Sequence, residues 1–307
     1  MKRFLGVCIA LSLTTSLFAG GGGSSSKPLD GSYPIVLSHG LFGWGDSDGD
    51  GIISLIDYWG GMDSYLRSEG GTVYAPQKSA ANSNEARGYE LKDKILYYMA
   101  ANGHSKVHVL GHSQGGLDSR YMAANLGMAS KVSTLTTINT PHRGSPIADL
   151  VETVIPDWLE PFVGDVLGAL VGIVYGSGEQ DVLAALNSLT IDGLSAFNSY
   201  TPNHPSVKYY SYGSYMTWAD PVQHPLMFLL HPACSVGGLF YGQGASCDGL
   251  VPYSSQKWGT FKGRPDYSWY VSGLDHLQVT NTLHSGQAWF DVEGHFLNMA
   301  TNAKNNQ

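Results

Sequence analysis

One serine of this 307-residue sequence lies in a pattern typical of an enzymatic nucleophile. Ser113 is the centre of Gly111–Gly115, which reads Gly-His-Ser-Gln-Gly. A strand-like run, Lys106–Leu110, precedes this pentapeptide, and a helix-like run follows it. A sharp turn between a strand and a helix exposes a serine hydroxyl and needs small neighbours, because the backbone there is strained. The pentapeptide alone would also fit a simple turn, but in this context it predicts that Ser113 attacks carbonyl carbons.

A serine nucleophile needs a general base, and the histidines near the C-terminus are the candidates. They are His276, His284 and His295. His276 follows the predicted strand Tyr267–Val271 by a short loop, which would place it at the carboxyl edge of the sheet beside the nucleophile. The other two fall in helical or trailing segments. We therefore expect His276 to be the base.

An acidic residue must orient the base, and it is expected between the serine and the histidine in chain order. Asp248 lies there, in a tight turn at Cys247–Pro252 that follows a Gly-rich loop. Asp275 is adjacent to His276 and is expected to be a solvated turn residue that points away from the ring. The predicted triad is therefore Ser113, Asp248 and His276.

The negative charge of a tetrahedral intermediate needs two backbone N–H donors. One is the amide that follows the nucleophile, here Gln114. The second comes from a loop after an early strand, and Tyr33–Ser38 followed by His39-Gly40 has that form. We assign this donor to the Leu41 N–H, although His39-Gly40 alone would also fit an ordinary turn at a strand end.

A framework of strands and helices must position these residues. Strand-like runs alternate with helical patterns, which predicts an α/β fold with a mostly parallel central sheet and helices on both faces. A long helical stretch from about 147 to 198 interrupts this rhythm and predicts a cap inserted over the sheet. The predicted strands are Tyr33–Ser38, Thr72–Ala75, Lys106–Leu110, Val132–Ile138, Val207–Tyr212 and Tyr267–Val271, and two predicted helices are Gly88–Ala101 and Leu117–Leu126.

The composition favours one compact domain over residues 31–307 and excludes a nucleic-acid partner. The length suits a single α/β domain. Charged residues make up 14% of the chain and the 39 glycines suit tight turns. The formal net charge of −8 leaves no basic face for phosphate backbones. We expect no organic cofactor.

The N-terminus predicts export. Met1-Lys2-Arg3 is followed by the apolar run Phe4–Phe18, and Ala19 is a suitable cleavage point, so residues 1–19 read as a signal peptide. Residues 20–30 read as a flexible linker. The apolar run is too short for a comfortable membrane span, so we expect no transmembrane segment in the mature chain and treat a retained anchor as the weaker alternative. The predicted location is extracellular, by way of the periplasm.

Seven segments of the sequence form a recognisable set. They are Tyr33–Gly40, Asp57–Trp59, Glu85–Gly88, Gly111–Gly116, Thr140–Ser145, Asp248–Val251 and Asp275–Leu277. Together they resemble the bacterial true lipases of the Pseudomonas and Burkholderia type, with a similarity that runs from about Tyr33 to past His276. The resemblance implies the α/β-hydrolase fold and an extracellular triacylglycerol lipase with a mobile helical lid, and it supports the same triad. It also makes a lipase-specific foldase a candidate partner.

The cysteines depart from this family's pattern. Cys8 would leave with the signal peptide, so Cys234 and Cys247 remain in an oxidising compartment, and we expect them to pair. The family's disulfide cysteine falls a few residues after the catalytic aspartate, where this chain has Tyr253 and Ser254. A disulfide here must therefore connect differently.

Calcium is the expected cofactor, at one of two places. Asp220 could match an upstream ligand of the family's calcium site, but Gln278 and Thr282 replace its aspartate and glutamine. An inserted loop at 46–57 fits the twelve-position calcium pattern instead, with Asp rather than Glu at the last position, while an acidic Gly turn is the alternative. Its predicted ligands are Asp46, Asp48, Asp50, Ile52 through its carbonyl, and Asp57.

The segment Trp158–Tyr175 is the expected lid. It is strongly apolar but too short to cross a bilayer, and Gly164, Gly168 and Gly172 weaken it as an isolated helix by about 1 kcal/mol each. A marginal apolar helix above an active site could open at an oil–water interface. An ordinary buried helix packed along its glycines is the alternative.

The leading hypothesis is a secreted serine lipase that hydrolyses acylglycerol esters at an oil–water interface through an acyl-enzyme. A carboxylesterase for short-chain esters or a polyester hydrolase would use the same triad, because fold and triad do not determine the acyl pocket. An acyltransferase would use it and exclude water. A non-catalytic, calcium-dependent binding protein is the hypothesis from another class, and the intact triad argues against it.

Overall fold

The computed structural model describes residues 26–45, 57–153 and 180–307. Within them, six strands form a parallel sheet in the order β2-β1-β3-β4-β5-β6. Parallel neighbours need crossover connections, and helices supply them on the faces of the sheet. The strands are β1 Ile35–Ser38, β2 Val73–Tyr74, β3 Val107–His112, β4 Val132–Ile138, β5 Lys208–Tyr212 and β6 Thr260–Phe261.

Polar caps and glycines delimit the helices. Ser83 accepts a hydrogen bond from the Ala86 N–H at the start of α2, and Gly103 ends that helix in the left-handed conformation. Asp291 caps the C-terminal helix in the same way as Ser83. The described helices are α1 Met62–Ser68, α2 Asn84–Asn102, α3 Gln114–Asn125, α4 Pro146–Thr153, α5 Val182–Asn187, α6 Ile191–Tyr200, α7 His231–Phe240 and α8 Val292–Lys304.

The hydrophobic core lies in two layers on opposite faces of the sheet. Successive residues of a strand point to opposite faces, so Leu37 and Val36 of β1 belong to different layers. Leu37 packs in the layer that α1 and α8 cover, and Val36 packs in the layer that α2 and α3 cover. The sheet is therefore buried on both sides, as the alternation of strands and helices predicts.

Five of the six predicted strands are confirmed as β1 to β5, with small differences at their ends. The predicted strand Tyr267–Val271 is wrong, because the sixth strand is Thr260–Phe261. Trp269 is 93% exposed, and Tyr267 forms one isolated bridge to Phe290 within the described residues. Aromatic residues favour strands only where neighbouring strands and side chains cover them, and here they lie on the surface.

The described parts of the predicted cap are helical. The helices α4, α5 and α6 fall within the expected range of about 147 to 198. The signal peptide, the calcium loop before Asp57 and the lid segment Trp158–Tyr175 lie outside the described residues. No helix in the described ranges is long and apolar enough to cross a membrane.

Candidate active site

Ser113 lies at a strained turn between β3 and α3. Its backbone has φ 53° and ψ −129°, outside the regions that ordinary residues prefer. A Cβ on Gly111 would lie 2.7 Å from the Gly115 carbonyl, and a Cβ on Gly115 would lie 2.1 Å from the Ser38 carbonyl. Contacts this short are forbidden, so both glycines are required for the turn. The Ser113 N–H donates to the Ile138 carbonyl at 2.9 Å, which ties the turn to the end of β4.

The structure brings His276 and Asp248 together. The His276 Nδ1–H donates to Asp248 Oδ2 at 2.7 Å, and the His276 backbone N–H donates to the Asp248 carbonyl at 2.9 Å. Ser113 and His276 line the same cavity. The described contacts include no hydrogen bond between these two side chains, and such bonds often form only with substrate present. The three predicted triad residues thus lie at one site.

The Asp248 carboxylate is fully buried and surrounded by donors. Its Oδ1 accepts from the Leu250 and Val251 backbone N–H groups at 3.0 and 2.7 Å. Its Oδ2 accepts from the Asn139 and Gln256 side-chain amides at 2.8 and 3.1 Å, in addition to His276. A buried carboxylate needs such donors to stay ionised. This arrangement can hold a negative charge beside the imidazole.

The expectation that Asp275 is solvated is wrong. Asp275 is only 3% exposed, and its Oδ1 accepts from the Leu277 and Gln278 N–H groups at 2.9 Å each. Burial raises the pKa of Asp275 to about 7. Its carboxylate closes the turn that follows His276 rather than orienting the ring.

The residues of both predicted oxyanion donors lie close to Ser113. Gln114 opens α3, where the first amides of a helix have no partner inside the helix. Leu41 lines the same cavity as Ser113, and a Cβ on the preceding Gly40 would lie 2.7 Å from the Ser113 Cβ. The loop that carries Leu41 therefore runs directly against Ser113.

A buried ionic cluster holds this loop from behind. Asp118 Oδ2 accepts from Lys78 Nζ at 2.7 Å and from Arg87 Nε at 2.9 Å, and all three side chains are fully buried. Lys78 and Arg87 donate to the His39 carbonyl at 3.0 and 2.7 Å, and Arg87 also donates to the Gly40 carbonyl at 3.1 Å. Burial, and the charge of Arg87 after it, lowers the pKa of Lys78 to about 7. The cluster fixes both peptides that precede Leu41.

The cavity over Ser113 is apolar. Its volume is about 170 Å³, and both the Ser113 and the His276 side chains line it. Hydrophobic side chains make up most of the remaining wall, so the site suits a hydrocarbon group next to a reacting carbonyl. Representative wall residues are Phe42, Ile147, Leu189, Met227, Leu250 and Leu277.

Comparison with known proteins agrees with this geometry. A family profile described as the alpha/beta hydrolase fold matches residues 33–209. A triacylglycerol lipase of Vibrio cholerae is 36% identical over 314 residues, which cover 94% of this chain and 93% of that protein. The chain belongs to the bacterial lipase family of the α/β hydrolases. The resemblance predicted from the sequence motifs is thereby confirmed.

Other relatives of this lipase family match over different lengths. A triacylglycerol lipase of Pseudarthrobacter phenanthrenivorans is 39% identical over 197 residues, which is 61% of this chain. The match spans 58% of that relative's length. Lipase 1 from Pelosinus fermentans has the same fold, with a TM-score of 0.62 and 19% identity over 90% of this chain and 99% of that one.

The positions that match the calcium site of the lipase family make hydrogen bonds within the protein. Within the described ranges, no group of three or more His, Cys, Asp or Glu side chains could hold a metal. Gln278 Nε2 donates to the Gln223 carbonyl and Gln278 Oε1 accepts from the Asp275 N–H, so amide hydrogen bonds join the two loops. Asp220 Oδ1 accepts from the Val222 N–H at 2.7 Å and from the Gln223 N–H. These bonds use both amide atoms of Gln278 and one carboxylate oxygen of Asp220.

The inserted calcium loop reaches the described residues only at its last position. Asp57 Oδ1 accepts from the Trp59 N–H at 2.8 Å, and Asp57 Oδ2 accepts from the Gly61 N–H. These bonds form a turn before α1. The other predicted ligands lie outside the described residues, so calcium binding by this loop stays a prediction.

Cys234 and Cys247 lie in one buried cluster but are two thiols in the structure, not a disulfide. Their sulfurs are in hydrogen-bonding contact. Burial raises the pKa of Cys234, and the hydrogen bond from Cys234 lowers the pKa of Cys247. The expected disulfide therefore remains a prediction that the proximity of the two side chains permits.

Sequence reasoning missed the residues that support the site. Asn139 directly follows β4 and has a left-handed φ of 48°, and Gln256 lies eight residues after Asp248. A polar residue at the carboxyl end of a parallel strand is a signal that could have identified Asn139. No local motif marks Gln256, whose amide also donates to the Ser214 carbonyl 42 residues away. The same holds for Lys78 and Asp118, which are 40 residues apart in the sequence.

Proposed function

We propose that this member of the lipase family is a secreted serine hydrolase that cleaves the carboxylic ester bonds of acylglycerols. The observation that carries the proposal is the hydrogen bond of 2.7 Å between His276 Nδ1 and Asp248 Oδ2, in a site where Ser113 and His276 line one apolar cavity. That bond leaves His276 Nε2 as the acceptor on the side of the nucleophile.

In the acylation half-reaction, Ser113 Oγ attacks the ester carbonyl and its proton passes to His276 Nε2. The buried Asp248 carboxylate stabilises the imidazolium that forms. The Leu41 and Gln114 N–H groups donate to the oxyanion. The bond between the carbonyl carbon and the alcohol oxygen then breaks, and His276 returns the proton to the departing alcohol. The product is an ester between the acyl group and Ser113.

In the deacylation half-reaction, a water molecule takes the place of the alcohol. His276 accepts a proton from water while the water oxygen attacks the acyl carbon. The bond to Ser113 Oγ breaks, the proton returns to Ser113, and a free carboxylic acid leaves. The same donors stabilise the second oxyanion, so one arrangement of groups serves both steps.

The substrate class follows from the wall of the cavity. Most of its side chains are apolar, which suits a hydrocarbon acyl chain better than a charged or strongly polar group. The Vibrio cholerae relative that covers 94% of this chain is named triacylglycerol lipase. A substrate presented at an oil–water interface fits both observations, and the export signal predicted at the N-terminus would take the enzyme to it.

The first experiment compares wild type with Ser113→Ala on a p-nitrophenyl ester. We expect Ser113→Ala to lose several orders of magnitude in turnover with its melting temperature retained. Ser119→Ala is the matched control, because it removes a buried hydroxyl from the same helix, where Ser119 donates to the Gly115 carbonyl. The control should keep most of the activity. Turnover by Ser113→Ala at the wild-type rate would refute the mechanism.

The second experiment separates a lipase from an esterase. Rates are measured with esters of increasing acyl length, both dissolved and emulsified. A lipase should act best on emulsified long-chain esters, because the apolar cavity gains binding energy with each buried methylene. Activity confined to dissolved short-chain esters would replace the lipase proposal by a carboxylesterase that uses the same triad.

A further inference from the structure

A continuous chain of hydrogen bonds joins the loop of Gly40 and Leu41, here called the oxyanion loop, to His276, the proposed catalytic base. The Gly40 N–H donates to Tyr58 Oη at 3.0 Å. Tyr58 Oη lies 2.6 Å from His112 Nδ1, and His112 Nε2 lies 2.9 Å from the His276 carbonyl oxygen. Neither Tyr58 nor His112 takes part in the proposed bond-making steps.

The acceptors determine the direction of this chain. A carbonyl oxygen can only accept, so His112 Nε2 carries the hydrogen that points at His276. Burial, with the nearby His276 ring as a smaller cause, lowers the pKa of His112 well below its usual range, so its ring is neutral and Nδ1 is an acceptor. The Tyr58 hydroxyl therefore donates to Nδ1, while its oxygen accepts from Gly40. Every bond in the chain has one donor and one acceptor.

The residues of this hydrogen-bond chain are shielded from water and tightly packed. Tyr58 is 5% exposed and His112 is 1% exposed, so solvent cannot replace a lost partner. The Tyr58 ring packs edge-on against Trp44 and Trp59, with ring centroids 5.5 and 5.1 Å apart. Among the described residues, Tyr58 Oη and the His112 ring make no other hydrogen bond, so a displacement at one end of this hydrogen-bond chain is passed to the other end.

The hydrogen-bond chain ends at Gly40 on one side and at His276 on the other. The proposed reaction needs the Leu41 N–H and the His276 ring to be positioned around Ser113 at the same time. Gly40 precedes Leu41, whose N–H is the proposed oxyanion donor. His276 is held at its N–H and its ring by Asp248, and its carbonyl oxygen accepts from His112. Loss of the His112 donor would leave His276 held on one side only.

Resting on the proposed function, we infer that Tyr58 and His112 are positioning residues that couple the oxyanion loop to the catalytic histidine. They hold the Leu41 donor and the His276 ring at a fixed separation across the nucleophile. The Leu41 N–H and the His276 ring can then contact the tetrahedral intermediate without moving first. A site that needs no such rearrangement has a lower activation barrier.

The test compares Tyr58→Phe and His112→Leu with the matched control Tyr74→Phe. Tyr74 Oη lies 2.9 Å from His104 Nε2, so the control removes the same type of Tyr–His hydrogen bond away from the cavity. Turnover is measured well below the melting temperature of each variant. We expect Tyr58→Phe and His112→Leu each to lower kcat by about tenfold or more with KM changed by less than about twofold. Tyr74→Phe should keep kcat within about twofold.

Two further readouts distinguish positioning from a general loss of stability. The double variant Tyr58→Phe with His112→Leu should be no slower than the worse single variant, because both break the same chain. His112→Gln, whose amide can accept from Tyr58 and donate to the His276 carbonyl, should recover a large part of the kcat lost in His112→Leu. If Tyr58→Phe folds poorly, the comparison of His112→Leu with His112→Gln carries the test.

The inference is overturned if Tyr58→Phe keeps kcat within about twofold of wild type, if KM rises while kcat is unchanged, or if the two single effects multiply in the double variant. Its failure is distinct from failure of the proposed function. An inactive Ser113→Ala together with a fully active Tyr58→Phe would refute only the coupling. A fully active Ser113→Ala would refute the proposed function itself.

Discussion

Asn139 donates its side-chain amide to Asp248 Oδ2 across 2.8 Å, and so shares one carboxylate oxygen with His276. Asn139 also donates to Ser214 Oγ, and it has a left-handed φ of 48° at the end of β4. Asparagine tolerates this conformation better than most residues. The same residue thus turns the chain out of the sheet and supports the proposed catalytic acid.

The first prediction concerns this support. Asn139→Gly keeps the left-handed backbone and removes the amide, so the Asp248 carboxylate loses one buried donor. We expect the free energy of unfolding to fall by about 1–3 kcal/mol, measured by urea denaturation, together with a lower kcat. Asn305→Gly is the control, because it removes an exposed amide at the end of α8 and should change neither quantity. An unchanged kcat in Asn139→Gly would mean that Asp248 needs no help from this amide.

The second prediction separates the two aspartates near His276. Asp248→Ala should lower turnover by several orders of magnitude, because nucleophile, base and orienting acid act as one unit. Asp275→Asn keeps an oxygen that can accept from the Leu277 and Gln278 N–H groups, so its turnover should stay within about tenfold of wild type. Steady-state kinetics on a soluble ester measures both. Near-wild-type turnover by Asp248→Ala would show that the acid is wrongly assigned and would direct attention to Asp220 or Asp275.

The third prediction concerns pH and stability. Burial lowers the pKa of His295 to about 4, and its Nε2 has no hydrogen-bond partner among the described residues. Between pH 4 and 6.5 the unfolded chain therefore binds a proton at this histidine that the folded chain does not. Stability at this site is lost as the pH falls through that window, by at most about 1.4 kcal/mol per pH unit.

His295→Phe removes this contribution and keeps a ring between Tyr212 and Phe290. Its free energy of unfolding relative to wild type should become steadily more favourable as the pH is lowered from 6.5 to 4.5. Urea melts at several pH values provide the measurement. A difference that does not depend on pH would show that His295 titrates normally in the folded state.

The fourth prediction concerns Cys234 and Cys247. Oxidation of the two contacting thiols would close the segment 235–246 and stabilise the fold by about 3 kcal/mol. Protein that lacks residues 1–19, purified without reductant, should then contain no thiol that reacts with Ellman's reagent after denaturation, and reductant should lower its melting temperature. Replacement of both cysteines by serine should abolish the effect of reductant. Two reactive thiols in that protein would contradict the disulfide.

The fifth prediction concerns calcium. We propose that an ion bound by the 46–57 loop would stabilise the chain that follows the Leu41 donor, and a hundredfold excess of ligand over Kd adds about 2.7 kcal/mol. Chelation should therefore lower the melting temperature of wild type and of Asp220→Ala, but not of the Asp46→Ala and Asp48→Ala double variant. If the calcium effect persists in the double variant and vanishes in Asp220→Ala, the ion lies at the position of the family's site.

The sequence alone was sufficient to predict those features of the protein that depend on residues close together in the chain. The turn at Ser113 needs glycines on both sides and a strand and a helix around it, and all of these are visible within twenty residues of sequence. The buried strands β1 and β3 to β5 are marked by their apolar runs. The order of Ser113, Asp248 and His276 along the chain also follows from the fold class that these elements predict.

Tertiary structure decided everything that depends on distant neighbours. The aromatic run Tyr267–Val271 has strand propensity, yet Trp269 and Tyr270 lie on the surface. Among the described residues, this run pairs only through one isolated bridge between Tyr267 and Phe290. Asp275 has the sequence of an exposed turn, yet packing buries it and raises its pKa to about 7. Tyr58 meets His112 across 54 residues and His112 meets His276 across 164. The spacing of polar and apolar residues along the sequence does not predict such pairs, because a hydrogen bond depends on where two atoms lie in space and on whether water can reach them.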